Sequence, residues 1–371
     1  DGTEFVLHRP GHDDRTPSLG GIDVRVDKIR DKLFEAAQKV FQLDADLSTG
    51  SGLQLLRFLA AQGQFIRNKL FGDDPLDGVR RVQVVSPYSA DFFPAEYLYD
   101  RRVPKKDAKL CPQFAAAVDS SGECPDCSAE DDGSLVCPLG FWGLNRIIER
   151  QVRPKDLAGE SPPEPQVGRD LLPVVNGVVF AASNEVNGDN ENEVSETLAA
   201  LAEITGEKAY LAESWTQWRE LSEDHYPVLL VALPHNVDND LGFQALQIGK
   251  DQELALNEIG DDYRPPPDSV ILLLGCNTAV AEVEYEDFVA GLRSAGAAVV
   301  VGTLTYVLGM QAAPLAREFV RQFWSHTGSE SRPMGEVLRS VRTSMVRDGN
   351  PLALAVAAYG CADWRLTPKE G

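Results

Sequence analysis

No uninterrupted apolar run in this chain approaches the about 18 residues that a membrane helix requires, so no span is expected. No basic, then apolar, then small-residue leader opens the sequence, so no secretory signal is expected. It begins at Asp1 without a methionine and reads as a fragment or a processed chain, which leaves room for an upstream domain. Walker and dinucleotide glycine fingerprints are absent, and so is any internal repeat. Basic residues are in deficit: 35 Lys and Arg stand against 57 Asp and Glu, a net charge of -22. Nucleic acids and anionic membranes attract positive surfaces, so neither is the expected partner. Six cysteines among 371 residues are too few for a disulfide scaffold and point to a reducing, cytoplasmic compartment. With five histidines in all, few residues can serve as an imidazole base.

What is present falls into blocks. Residues 1–20 are polar, with Gly and Pro, and are expected to be flexible. Residues 21–78 form a helical segment, with Ile29, Leu33, Ala36, Ala37 and Val40 on one helix and Leu53, Leu56, Leu59 and Ala60 on the next. In the half-domain 79–170, "VRRVQVVSP" reads as a strand, "DFFPAEYLYD" as a short helix and "GFWGLNRIIERQV" as another helix, before a proline-rich spacer at 158–168. From 171 to 371 strands and amphipathic helices alternate, with "FQALQIGKDQELAL" turning as a hairpin at Gly249-Lys250. Unbroken apolar strands between such helices predict an α/β fold, a mostly parallel central sheet flanked by helices. Trp215 and Trp218 read as a core face. The acidic stretch 184–196 does not match an EF-hand and reads as a solvated loop capping the next helix.

The half-domain carries an insertion at 109–138 that resembles a zinc ribbon. Cys111 precedes a C-x-x-C knuckle, Cys124 and Cys127, and Cys137 follows. Four thiolates satisfy tetrahedral Zn²⁺, and a stretch without apolar periodicity needs a staple. Structural zinc is the expectation. Disulfides, unliganded thiols and a redox-active C-x-x-C are the alternatives.

Two strands, "VLLVALP" and "VILLLG", each run straight into a chemically competent side chain, His235 and Cys276. Taken singly, a buried cysteine or a strand-capping histidine is more often structural than catalytic. Together they lie at the carboxyl ends of parallel strands, the ligand-binding rim of open α/β sheets. An imidazole within reach activates a thiol as nucleophile. His8, His12 and His326 lie in terminal or helical stretches, and His225 precedes the strand, at the other rim.

From about Arg80 to Arg365 the chain resembles the CHAT family, caspase-like cysteine proteases of the clan that includes caspases, separase and clostripain. "FFPAEYLYD" is similar to the family's early proline, glutamate and leucine-tyrosine motif. "LLVALPH" resembles its histidine strand and "LLLGCNTA" its cysteine strand, with Thr278 two positions on. "FVAGLRSAGAAVVVGTLTYVLGMQAAPLAREFVRQFW" and "LALAVAAYG" resemble its later helices and strands. The resemblance implies a caspase-like fold with 171–371 as the catalytic domain, and a cysteine endopeptidase using a His235–Cys276 dyad. Backbone N–H groups of Cys276 and Asn236 would form the oxyanion hole.

The family's histidine is usually followed by glycine, where this chain has Asn236, the non-glycine residue that best tolerates positive φ. Thr305-Tyr306 stands where a tryptophan is usual. Expected partners are a protein substrate and a regulatory sensor domain or protein, as for an effector in bacterial defence or signalling. The alternative from a different class is a catalytically inactive caspase-like adaptor.

Overall fold

The computed structural model describes residues 6–7, 14–17, 21–39, 47, 50–72, 74, 76, 78–86, 93–120, 124, 132–152, 171–172, 175–187, 192–226, 228–238, 244–250, 252–260, 263–275, 288–304, 309–325 and 331–366. The N-terminal segment folds as α1 (Ile22–Lys39) and α2 (Gly50–Phe71). Ile29 and Leu33 of α1 are buried, as are Leu53, Leu56, Leu59 and Ala60 of α2. Helix α2 passes so close to the chain at Tyr97 that a Cβ on Gly63 would lie 1.7 Å from the Tyr97 carbonyl oxygen. Only glycine fits there.

The next stretch holds β1 (Arg81–Ser86), a 3-10 turn (Ala95–Tyr97), β2 (Lys109–Leu110), α3 (Phe114–Ser120), β3 (Leu135–Val136), α4 (Trp142–Asn145), β4 (Ile147–Val152) and β5 (Leu171–Leu172). Alternation then sets in: β6 (Val178–Ala182), α5 (Glu193–Thr205), β7 (Ala209–Ala212), α6 (Trp215–Asp224) and β8 (Leu229–Leu233). A small sheet interrupts it, made of β9 (His235–Asp238), β10 (Gln244–Ile248) and β11 (Gln252–Ala255). The rest is β12 (Val270–Leu273), α7 (Phe288–Ser294), β13 (Val299–Thr303), α8 (Gly309–Ser325), α9 (Met334–Arg347), β14 (Val356–Gly360) and β15 (Arg365–Leu366).

Among the described residues eight strands form the central sheet in the order β1-β4-β14-β13-β12-β8-β6-β7, so residues 79–170 and 171–371 share it. Neighbours are parallel except β13 and β14, which are antiparallel. The five strands from β13 to β7 therefore point their carboxyl ends at one rim, and β1, β4 and β14 at the other. The chain steps outward from β6 to β7 and back from β7 to β8. Right-handed crossovers then put α5 and α6 on opposite faces. Helices α5, α8 and α9 pack side by side in one layer, while α6 lies on β6 and β7, and α7 on β13. Every residue of β6, β8, β12, β13 and β14 is buried, as expected of strands covered on both faces.

Two local expectations fail. "GFWGLNRIIERQV" is not one helix: α4 ends at Asn145, Arg146 turns extended (φ −128°, ψ 158°), and 147–152 is the strand β4 between β1 and β14. The β-branched pair Ile147-Ile148 suits a strand, and burial of Glu149 and Arg150 is made tolerable by partners far away in sequence. In "DFFPAEYLYD" the described residues form a single 3-10 turn. The hairpin at Gly249-Lys250 does form, with Ala245↔Ala255 to Ile248↔Gln252 in register. Trp218 is core as expected, its indole N–H donating to the Tyr263 hydroxyl at 2.6 Å. In the acidic stretch, the Asn187 side-chain oxygen accepts the Val194 N–H at 3.1 Å, at the start of α5. Residues 158–168, Thr278, Thr305 and Tyr306 lie outside the described residues.

Candidate active site

Strands β8 and β12 are hydrogen-bonded neighbours, with Leu229↔Val270 through Ala232↔Leu273 in register. All nine residues of the two strands are buried, which leaves neither face free to slip register toward water. Past the last rung, the Leu274 N–H still donates to the Ala232 carbonyl at 2.9 Å. Gly275 is buried, and its carbonyl accepts a hydrogen bond from the hydroxyl of the fully buried Thr303 at the end of β13. This ties the exit of β12 to its neighbour. Cys276 lies outside the described residues.

On the β8 side, buried Pro234 leads to His235, which is exposed. His235 opens β9 and pairs with Gln247 of β10. The small sheet is moored to the rim at its turn. There the Gly249 N–H donates to the Ala182 carbonyl at 2.8 Å, and the Asn184 N–H to the Gly249 carbonyl at 3.0 Å. The Trp215 indole N–H holds the Leu246 carbonyl at 2.9 Å. Gly249 has φ +57°, and a Cβ there would lie 2.4 Å from the Glu213 carbonyl oxygen. Asn236 pairs with Leu246 in extended β9 and is not among the positive-φ residues, so the left-handed geometry open to asparagine is not used. His225, at the end of α6, stacks on Tyr210 with ring centroids 3.7 Å apart, away from His235 in the fold as in the sequence.

The structure also gathers Cys111, Cys124 and Cys137. All three are buried and their sulfurs lie within 4.8 Å of one another. Cys111 and Cys124 Sγ are 3.4 Å apart, well beyond the roughly 2 Å of a disulfide. Strands β2 and β3 pair in parallel, Lys109↔Leu135 and Leu110↔Val136, so Cys111 and Cys137 are the next residues on each. Three soft sulfurs in a buried cluster form a donor set suited to zinc, whose tetrahedron with 2.3 Å bonds has an edge of about 3.8 Å. Cys127 lies outside the described residues.

Sequence reasoning did not find Thr303, which lies within the quoted run from Phe288 to Trp324, nor that the motif glutamate Glu96 is buried with Arg150 and Arg342.

No family model matches the chain. A relative in Vitiosangium sp. (strain GDMCC 1.1324), a probable protease, is 26% identical over 304 residues, 74% of this chain and 37% of its own length. The chain is similar to a protease. It spans just over a third of that relative, and the relative's description agrees with the resemblance to caspase-like cysteine proteases. Among solved structures, the Saccharomyces cerevisiae separase–securin complex aligns with 94% of this chain and 27% of the other, at 13% identity and a TM-score of 0.49. The Arg-specific cysteine proteinase gingipain R aligns with 92% and 76%, at 10% identity and a TM-score of 0.43. Both are likenesses of shape only, with scores below 0.5. Among the described residues no helix is long and apolar enough to cross a membrane.

Proposed function

We propose that the chain is a cysteine endopeptidase with a His235–Cys276 dyad in its 171–371 domain. The observation that carries this reading is the parallel, in-register pairing of β8 and β12. Counting on from the rung Ala232↔Leu273, His235 and Cys276 are each three residues further along (235 − 232 = 276 − 273 = 3). Parallel neighbours that leave a sheet together bring their next residues to one rim.

In this reading the His235 imidazole takes the Cys276 thiol proton. The sulfur attacks a peptide carbonyl carbon, forming an S–C bond. Collapse of the tetrahedral intermediate breaks the C–N bond, and the imidazolium returns its proton to the leaving amine. Water then hydrolyses the thioester and regenerates the thiol. Backbone N–H groups of Cys276 and Asn236 would receive the oxyanion, each worth about 3–4 kcal/mol in comparable sites. The cysteine cluster is read as structural zinc in the 79–170 half, with Cys127 as fourth ligand and no part in the chemistry. We further read the chain as a cytoplasmic effector in a bacterial defence or signalling system, latent until a sensor domain or partner reorders the rim.

The placement of Asn236 inside β9, where the family has glycine, favours a second reading as a catalytically inactive adaptor. A thiol-reactive probe on the activated protein separates the two. Labelling of Cys276 that falls in His235→Ala supports the dyad, while an inert thiol supports the adaptor. Peptide-library cleavage by wild type but not by Cys276→Ala supports the peptidase, and identical cleavages by both would remove Cys276 as the nucleophile.

A further inference from the structure

The described residues of the insertion at 109–138 offer few ordinary means of holding it together. Its ladder is two residues long on each strand, and α3 spans seven residues. Yet it sits directly against a densely hydrogen-bonded part of the neighbouring fold. Cys137 donates its backbone N–H to the hydroxyl of Tyr99 at 3.1 Å. Tyr99 is fully buried and packs on Phe141, with centroids 4.9 Å apart and the two backbones bridged.

On either side of Tyr99 the chain is fastened to the segment that follows Cys137. The Trp142 N–H donates to the Leu98 carbonyl at 2.9 Å, and the Asp100 N–H to the Gly140 carbonyl at 3.0 Å. Asp100 accepts the Trp142 indole N–H at 2.7 Å and the Arg146 guanidinium at 2.8 Å. Arg146 leads straight into β4. Three residues before Tyr99, Glu96 meets Arg150 of β4 and Arg342 of α9. The 93–101 loop and β4 thus form one bonded unit, and Cys137 is its link to the sulfur cluster.

Resting on the zinc reading of that cluster, we infer that the ion held by Cys111, Cys124 and Cys137 acts at a distance. It clamps the insertion onto the 93–101 loop through the Cys137–Tyr99 hydrogen bond, and so sets the order of the β1–β4 edge of the sheet. The rim strands β8 and β12 lie beyond β14 and β13 in the sheet, and on this inference the ion does not set their order. A metal tie stabilises what a short ladder cannot, because thiolates spread over 27 positions (Cys111 to Cys137) are drawn to one ion.

The test uses the full chain. Zinc is removed with a chelator and replaced by cobalt, whose thiolate charge-transfer band reports the donor set. Hydrogen exchange is compared with and without zinc. The expected result is a cobalt–thiolate band, about tenfold or greater acceleration of exchange in 93–101 and 137–152 on metal removal, and unchanged exchange in 229–233 and 270–275. In Tyr99→Phe the band should persist while the acceleration in 93–101 shrinks. If no band forms, the zinc reading fails and the clamp with it. A band with metal-independent exchange in 93–101, or equal acceleration across β8 and β12, overturns the clamp and leaves the zinc reading standing. Because the chelator acts on folded wild type, the test does not depend on a cysteine variant folding.

Discussion

Glu96 and Arg342 are 246 residues apart in sequence, yet their side chains meet at 3.5 Å with both buried. Arg150 closes on the same carboxylate, and Arg342 also donates to the Val356 carbonyl at the start of β14. Burial pulls the Arg342 guanidinium's pKa down, with Glu96 opposing it. For Arg150 burial pulls the same way, but Glu96 prevails and the pKa is raised. One carboxylate therefore holds two buried cations. Glu96→Gln leaves both without a counter-charge, and the expected loss is about 3–5 kcal/mol. A urea midpoint within error of wild type would contradict this role.

Thr303 donates to the carbonyl of Gly275, the last described residue before Cys276. Thr303→Val keeps the shape but leaves that buried carbonyl without this donor, a loss of about 1–3 kcal/mol. Thr303→Ser restores the hydroxyl and should restore stability. If the dyad reading holds, turnover should fall more than substrate binding in Thr303→Val and recover in Thr303→Ser. Equal behaviour of the two variants would remove Thr303 as a positioning residue.

Gly249 moors the small sheet that begins at His235. Gly249→Ala combines positive φ with a 2.4 Å clash against backbone, and should destabilise by more than about 1 kcal/mol. Proteolytic sensitivity should rise first in 235–255. A neutral effect there would mean that the turn is not the mooring.

Glu318 gives a pH-dependent check on the helical layer. Burial would raise its pKa, but hydrogen bonds from Arg321 at 2.8 and 2.9 Å and from Gln322 at 3.0 Å prevail, and the pKa is lowered. A carboxylate lowered on folding stabilises fully above its unfolded value of about 4.3. That contribution is lost as pH falls through the lower folded value. The stability gap between wild type and Glu318→Gln should therefore narrow from about pH 6 to about pH 3. A constant gap would show that the proton plays no part.

The legible parts of this molecule were those set by local pattern. "VLLVALP" and "VILLLG" have no polar face, so they had to be strands covered on both sides, and the structure pairs them directly. The gathering of Cys111, Cys124 and Cys137 was legible from their spacing. "GFWGLNRIIERQV" was not, because a glutamate and an arginine in a covered strand look unfavourable until their partners are known. The Glu149 carboxylate accepts the Ala362 N–H at 2.8 Å, 213 residues away, and Arg150 meets Glu96, 54 residues back.

By itself the sequence determined which segments must leave water and which side chains could do chemistry, because apolar periodicity and ligand type are properties of neighbouring residues. The tertiary structure alone decided that β14 runs against β13, that Cys111 and Cys137 end one ladder, and that Glu96 serves two distant arginines. Buried charges and strand order depend on partners brought together only when the whole core closes.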